Sequence, residues 1–148
     1  MNELIQQNIE SLRTIPLIEH DSYAEFKDGK RSYLSRTWDA TKKKCVILMH
    51  DPSTADDMTD DTTIKRCISI CRNNGYGGIQ VYNINHLVDE IQGTEIVIAW
   101  GNSISKKESK KIAIKLRNTY HLLCFSTLKN GNPGLPTRLQ KHTMLRDF

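Results

Sequence analysis

Asp51 stands directly after an unbroken apolar run, Cys45-Val46-Ile47-Leu48-Met49, and directly before Pro52, so its backbone is constrained at the end of a buried segment. A carboxylate held there suits a general base acting on a water. The same placement suits an Asx turn in which Asp51 bonds the amides of Ser53 or Thr54. The Ser53 and Thr54 hydroxyls can donate to a phosphate or a base, or simply cap that turn. Asp56, Asp57, Asp60 and Asp61 then put four carboxylates into six positions. Hard cations take oxygen ligands, but the spacing matches no metal loop, and capping of a helix beginning near Thr62 accounts for the acids. No metal or cofactor is expected, and Asp60 and Asp61 stand with Pro52 as candidate ligand contacts. Asn83 could read a base edge, Trp38 and Trp100 could offer stacking faces, and Arg36 could hold a planar fork beside Trp38. Gly101 and Asn102 add a tight polar turn. His50, His86, His121 and His142 carry no feature that ties them to a nucleophile, so no Ser-His-Asp triad is read.

Periodicity supplies the elements that must position these groups. Leu4, Ile5, Ile9 and Leu12 recur at helical spacing within residues 1–20, which predicts an N-terminal helix packing on the body. Asp28-Gly29 marks a turn, and Arg31 to Trp38 alternates as a strand. Cys45–Met49 is apolar throughout, as in a strand covered on both faces. A helix starting at Asp60-Asp61-Thr62-Thr63 carries Ile64, Cys67, Ile68 and Cys71 as its buried stripe and ends at Gly75 and Gly77-Gly78. Strands follow at Ile79–Ile84, Glu95–Trp100 and Leu122–Phe125, with a lysine-rich helix from about Ser103 to Asn118 between the last two and a loop-like tail. Strands alternating with helices predict a three-layer α/β/α domain with a mostly parallel central sheet. Ligands of such sheets bind at the carboxyl ends of the strands, so the loops at His50–Thr54, Asn83–His86 and Trp100–Ser103 should converge.

Composition sets bounds. The chain has 148 residues, 38% hydrophobic and 26% charged, which suits one domain over 1–148 and excludes a disordered chain. No apolar run approaches the roughly 18 residues that cross a bilayer, and the start, Met1-Asn2-Glu3-Leu4, has no secretory pattern, so a cytoplasmic protein with no membrane partner is expected. Cys45, Cys67, Cys71 and Cys124 form no Cys-x-x-Cys pair and read as reduced core residues. A net charge of +4 permits an anionic partner without requiring one, and the lysines after Gly101 read as a solvated face that could also attract phosphates.

Taken in order, Arg31-x-x-Leu34-x-Arg36-x-Trp38, Asp51-Pro52-Ser53-Thr54-Ala55-Asp56, Asp60-Asp61-Thr62-Thr63-Ile64-Lys65-Arg66-Cys67, Gly75-Tyr76-Gly77-Gly78, Asn83 and Ala99-Trp100-Gly101 resemble the domain of unknown function 1643 family of bacteria and their phages. The resemblance runs from about Arg31 to Phe148 and implies no particular activity. Three departures stand out: Asp51 where that family usually has Asn, Leu135-Pro136-Thr137 where it has His-Pro-Leu, and a shorter segment between Asn83 and Trp100. A more distant similarity is to the uracil-DNA glycosylase superfamily, which implies a first loop that positions water, an Asn that contacts a flipped base and a late His that stabilises the departing base. Asp51, Asn83 and the loop Pro133 to Leu139 would be the counterparts, with the late His missing.

Three readings remain open at this level. The chain could act on nucleotides or bases, with Asp51 as base. It could bind a nucleotide without turnover, for example sequestering a host signalling nucleotide if phage-encoded. Or it could be a protein-interaction module whose motifs serve the fold.

Overall fold

The structure is a computed structural model that describes residues 21–50, 61–85, 91 and 93–148. The expected N-terminal helix and the Asp51–Asp60 segment lie outside the described residues. Asp28 and Gly29 both take positive φ, 54° and 77°, the backbone of a tight hairpin turn whose twist matches paired strands. They join β1 (Asp21–Lys27) to β2 (Lys30–Thr37) in antiparallel register. Then come β3 (Lys44–Met49), α1 (Thr62–Asn73), β4 (Gly78–Asn83), β5 (Glu95–Ile98), α2 (Lys106–Arg117), β6 (His121–Cys124) and β7 (Arg146–Asp147). Neither β1 nor β7 was expected: both are edge strands, and neither shows a clear apolar alternation.

The seven strands make one sheet in the order β1-β2-β4-β3-β5-β6-β7. The expectation of a mostly parallel sheet is corrected here. The pairs β3–β4, β3–β5 and β5–β6 are parallel, whereas β1–β2, β2–β4 and β6–β7 are antiparallel and hold more of the paired residues. The cause is the hairpin: β2 returns beside β4 and ends where β4 begins, with Thr37 opposite Gly78. The chain can then enter β3 from that end without the long crossover that parallel neighbours need.

That short connection passes over the start of β4. Trp38 and Asp39 donate their backbone N–H groups to Gly77 O at 2.9 and 3.0 Å, and Gly77 N donates to Lys43 O at 2.8 Å. A Cβ on Gly77 would lie 2.0 Å from Asp39 O and 2.8 Å from Lys42 Cβ, so the crossing requires glycine there. The helix itself ends earlier, at Asn73 with Asn74 as its cap, and Gly75 at φ 89° suits the position after that cap.

Side-chain alternation along β3 divides the core. Cys45, Ile47 and Met49 pack with α1 on one face, and Val46 and Leu48 pack with α2 on the other. The α1 stripe is Ile64, Cys67, Ile70 and Cys71, with Ile68 only half-buried. Each fully buried Ile contributes roughly 1.5–3 kcal/mol. Asp61 caps α1 by accepting from Ile64 N at 2.9 Å, and Ser105 caps α2 by accepting from Glu108 N at 3.2 Å. All four cysteines are buried. Burial pushes the Cys67 thiol up, and hydrogen bonding with Cys45 followed by burial raises Cys71, so both stay protonated. Among the described residues, no helix is long and apolar enough to cross a membrane.

Candidate functional site

Three strand ends are laced together by their own backbones. Ile84 N, just past β4, donates to Met49 O at 2.7 Å, and Ala99 N, just past β5, donates to Leu48 O at 2.9 Å. The described beginnings of the three loops therefore sit side by side. Ser103 Oγ donates to Trp100 O at 2.7 Å, which uses its only proton. The 3.0 Å contact between His50 Nδ1 and Ser103 Oγ must then have the imidazole N–H as donor. In neutral His50 this fixes the tautomer and makes Nε2 the acceptor nitrogen.

His50 and Ser103 open into a cavity of about 790 Å³ that runs from the strand ends along α2. Ile84, Ile104, Ile112 and Leu116 supply its apolar wall, while Asn85, Ser105, Glu108 and Lys115 add polar groups. A concave apolar wall with a few converging polar groups, in the size range of small-molecule sites, is an arrangement that suits a small organic ligand. On the other face of the same edge, Arg31 is 3% exposed. Burial draws its pKa down while Asp61 opposes the shift, and a guanidinium stays protonated regardless. Thr137 Oγ1 lies 3.3 Å from Thr63 Oγ1 in the first turn of α1, and Gly101 N donates to Pro133 O at 2.8 Å. The late loop Pro133 to Leu139 therefore reaches this edge of the sheet.

The sequence-derived candidates separate in space. Asp51, Pro52, Ser53, Thr54 and Asp60 lie outside the described residues. Asp61 is the helix cap already described. Asn83 is buried; its Oδ1 accepts from Asn85 N at 3.0 Å and its Nδ2 donates to Arg31 O at 3.5 Å, so the amide shapes the turn that presents Asn85. Trp100 is 1% exposed and its Nε1 donates to Ser109 Oγ at 2.8 Å. Its ring is core and offers no stacking face. Trp38 sits at the opposite end of the sheet, with Nε1 donating to Tyr76 O at 2.9 Å and Arg72 stacked 4.9 Å over its ring. Arg36 is buried opposite Ile79 near that same end, and its Nη1 donates to Ser35 O at 3.0 Å. The expected Arg36–Trp38 fork therefore does not face the carboxyl ends. Gly101, at φ 62°, makes the turn after β5, and Asn102 Oδ1 accepts from Asn130 Nδ2 at 3.0 Å.

His50 and Ser103 lie in the loops that the sequence nominates but carry no role there, and Ile112 and Asn132 are not among its candidates. His50 was visible as the first polar residue after β3, the same signal that singled out Asp51. Ile112, half-buried on α2, turns its side chain into the cavity wall. Asn132, 2% exposed, donates from Nδ2 to Gly101 O at 3.0 Å and to Ile104 O at 2.9 Å, clamping the turn that carries Ser103. No local pattern announces a contact between residues so far apart in the chain.

Fold and site together define a mixed α/β protein with a ligand-sized cavity where its parallel strands end. Residues 31–92 match the model of the family described as protein of unknown function (DUF1643), and over that stretch the chain is similar to that family. The matched stretch takes in β2, β3, α1 and β4 and, with them, His50, Asn83 and Asn85. No curated protein and no solved structure matches the chain.

Proposed function

We propose that this protein binds a nucleotide or nucleobase in the cavity at the carboxyl ends of the strands. The observation that carries the reading is the convergence of His50, Asn85 and Ser103 on an apolar wall of Ile84, Ile104 and Ile112. A flat base lies against the isoleucines, the Asn85 amide and His50 meet its polar edge, and Lys115 stands within the same cavity for a phosphate. The proposal extends to the likeness with the uracil-DNA glycosylase superfamily, and to a cytoplasmic, single-domain protein of bacterial or phage origin.

Two roles follow for the site. As a binder, the protein sequesters its nucleotide without turnover; Leu135 favours this, because it stands where the resembling family carries an imidazole and it offers no proton to a leaving group. As an enzyme, the protein relies on Asp51 as the water-orienting base.

A calorimetric and thermal-shift panel of bases, nucleosides, mono- and triphosphates tests the proposal. At least one member is expected to raise the melting temperature, and Ile112→Trp, which fills the cavity from α2, is expected to weaken that ligand at least about tenfold by removing the space it occupies. A panel with no binder, or a binder indifferent to Ile112→Trp, would overturn the assignment. Where a bound nucleotide is turned over, Asp51→Asn is expected to slow the reaction roughly a hundredfold with little change in melting temperature, the scale of losing one proton-transfer group. Unchanged turnover in a variant that melts normally leaves Asp51 with the turn alone.

A further inference from the structure

We propose that the groove on the outer flank of α2 binds the backbone of a single-stranded nucleic acid. This flank faces away from the cavity described above, so the inference stands whether or not that cavity takes a nucleotide. The groove, about 320 Å³, runs between α2 and the turn at Asn130–Asn132 and is closed at one end by Phe148. Lys106, Lys110 and Arg117 line it, with no Asp or Glu side chain among the lining residues, and Arg117 already meets the main-chain oxygen of Phe148.

Neither Lys106 nor Lys110 makes a side-chain hydrogen bond or an ion pair among the described residues. Arg117 is held in place instead: its Nη2 donates to Phe148 O at 2.7 Å and its guanidinium lies 5.4 Å over the Phe148 ring. The Arg117–Phe148 pair offers a base an aromatic ring with a cation beside it, and Ile114, 57% exposed, adds apolar surface to the same groove. From Lys106 to Arg117 the helix advances roughly 16 Å, several times the roughly 3.4 Å rise per nucleotide of a stacked strand, so successive phosphates can meet successive cations. An acidic peptide would satisfy the cations and leave the aromatic ring unused, and a duplex keeps its base faces covered.

The test is fluorescence anisotropy with a labelled, mixed-sequence single-stranded oligonucleotide over a salt series. The parent is expected to bind with a slope of log affinity against log salt near about −2, from three neutralised phosphates at about −0.7 each. The double reversal Lys106→Glu/Lys110→Glu is expected to lose at least about tenfold in affinity, and Lys107→Glu/Lys111→Glu, the same change of charge outside the groove, less than about threefold. No binding by the parent overturns the proposal. So does an equal loss in both pairs, which would mean diffuse attraction, or competition by polyglutamate as strong as by unlabelled strand. Should the first pair lower the melting temperature, Lys106→Gln/Lys110→Gln replaces it, and a loss below about twofold in that variant counts against the groove.

Discussion

Replacing Trp100 by alanine is expected to lower the unfolding free energy by about 3–5 kcal/mol, a large part of the total for a domain of this size. The ring is among the largest fully buried side chains and packs with Leu48, Ile98 and Leu116 between the sheet and α2. Truncation empties that space and strands the Ser109 hydroxyl, which now accepts the indole N–H at 2.8 Å. Ser109→Ala alone should cost only about 1 kcal/mol, since it removes one partner and little volume. Urea denaturation followed by circular dichroism separates the two variants. A Trp100→Ala loss under about 1 kcal/mol would mean that the indole is not the packing centre of this layer and would reopen its candidacy as a ligand contact.

Asn132→Ala is expected to cost about 2–4 kcal/mol, because two buried carbonyls, Gly101 O and Ile104 O, lose the donor that satisfies them. Asn102→Ala, in the same turn but exposed, gives up its contacts from Asn130 and Asn132 at 3.0 and 3.4 Å and should cost no more than about 1 kcal/mol. The contrast is functional as well as energetic. The clamped turn carries Ser103 and Ile104 into the cavity wall, and Ser103 is the group that orients His50. Loosening the clamp should therefore weaken any cavity ligand by more than the Asn102 variant does. Equal melting temperatures for the two variants would show that the turn is held by its own backbone.

Much of the central architecture was legible because its signals are local. The unbroken apolar run Cys45–Met49, the capping Asp61 and the Asp28-Gly29 turn each act over a few residues, and each is found where the pattern puts it. The antiparallel flanks were not legible. β1 is exposed for most of its length, so it buries too few side chains to print a two-residue period. β2 could be recognised as a strand, but nothing within it says that its neighbour is β4 rather than β3. Strand polarity at an edge is set by where the hairpin folds back, which is a long-range choice.

The candidate site divides along the same line. The loops after β3, β4 and β5 were nominated from residue order alone, and their described beginnings do lie together, because parallel strands must end on one side of a sheet. Which side chains face the cavity was decided by packing. Trp100 and Trp38 are alike as residue types; one is enclosed by α2 and the other is carried to the opposite end of the sheet by the direction of β2. His50 has meaning as a proton acceptor only once Ser103 Oγ comes within 3.0 Å of Nδ1 and spends its own proton on Trp100 O. The order of residues determined the elements, their caps and the end of the sheet where polar loops collect. The pairing of distant strands, the clamp at Asn132 and the tautomer of His50 arose from contacts between segments that no local pattern encodes, since each is made by groups brought together only when the sheet closes.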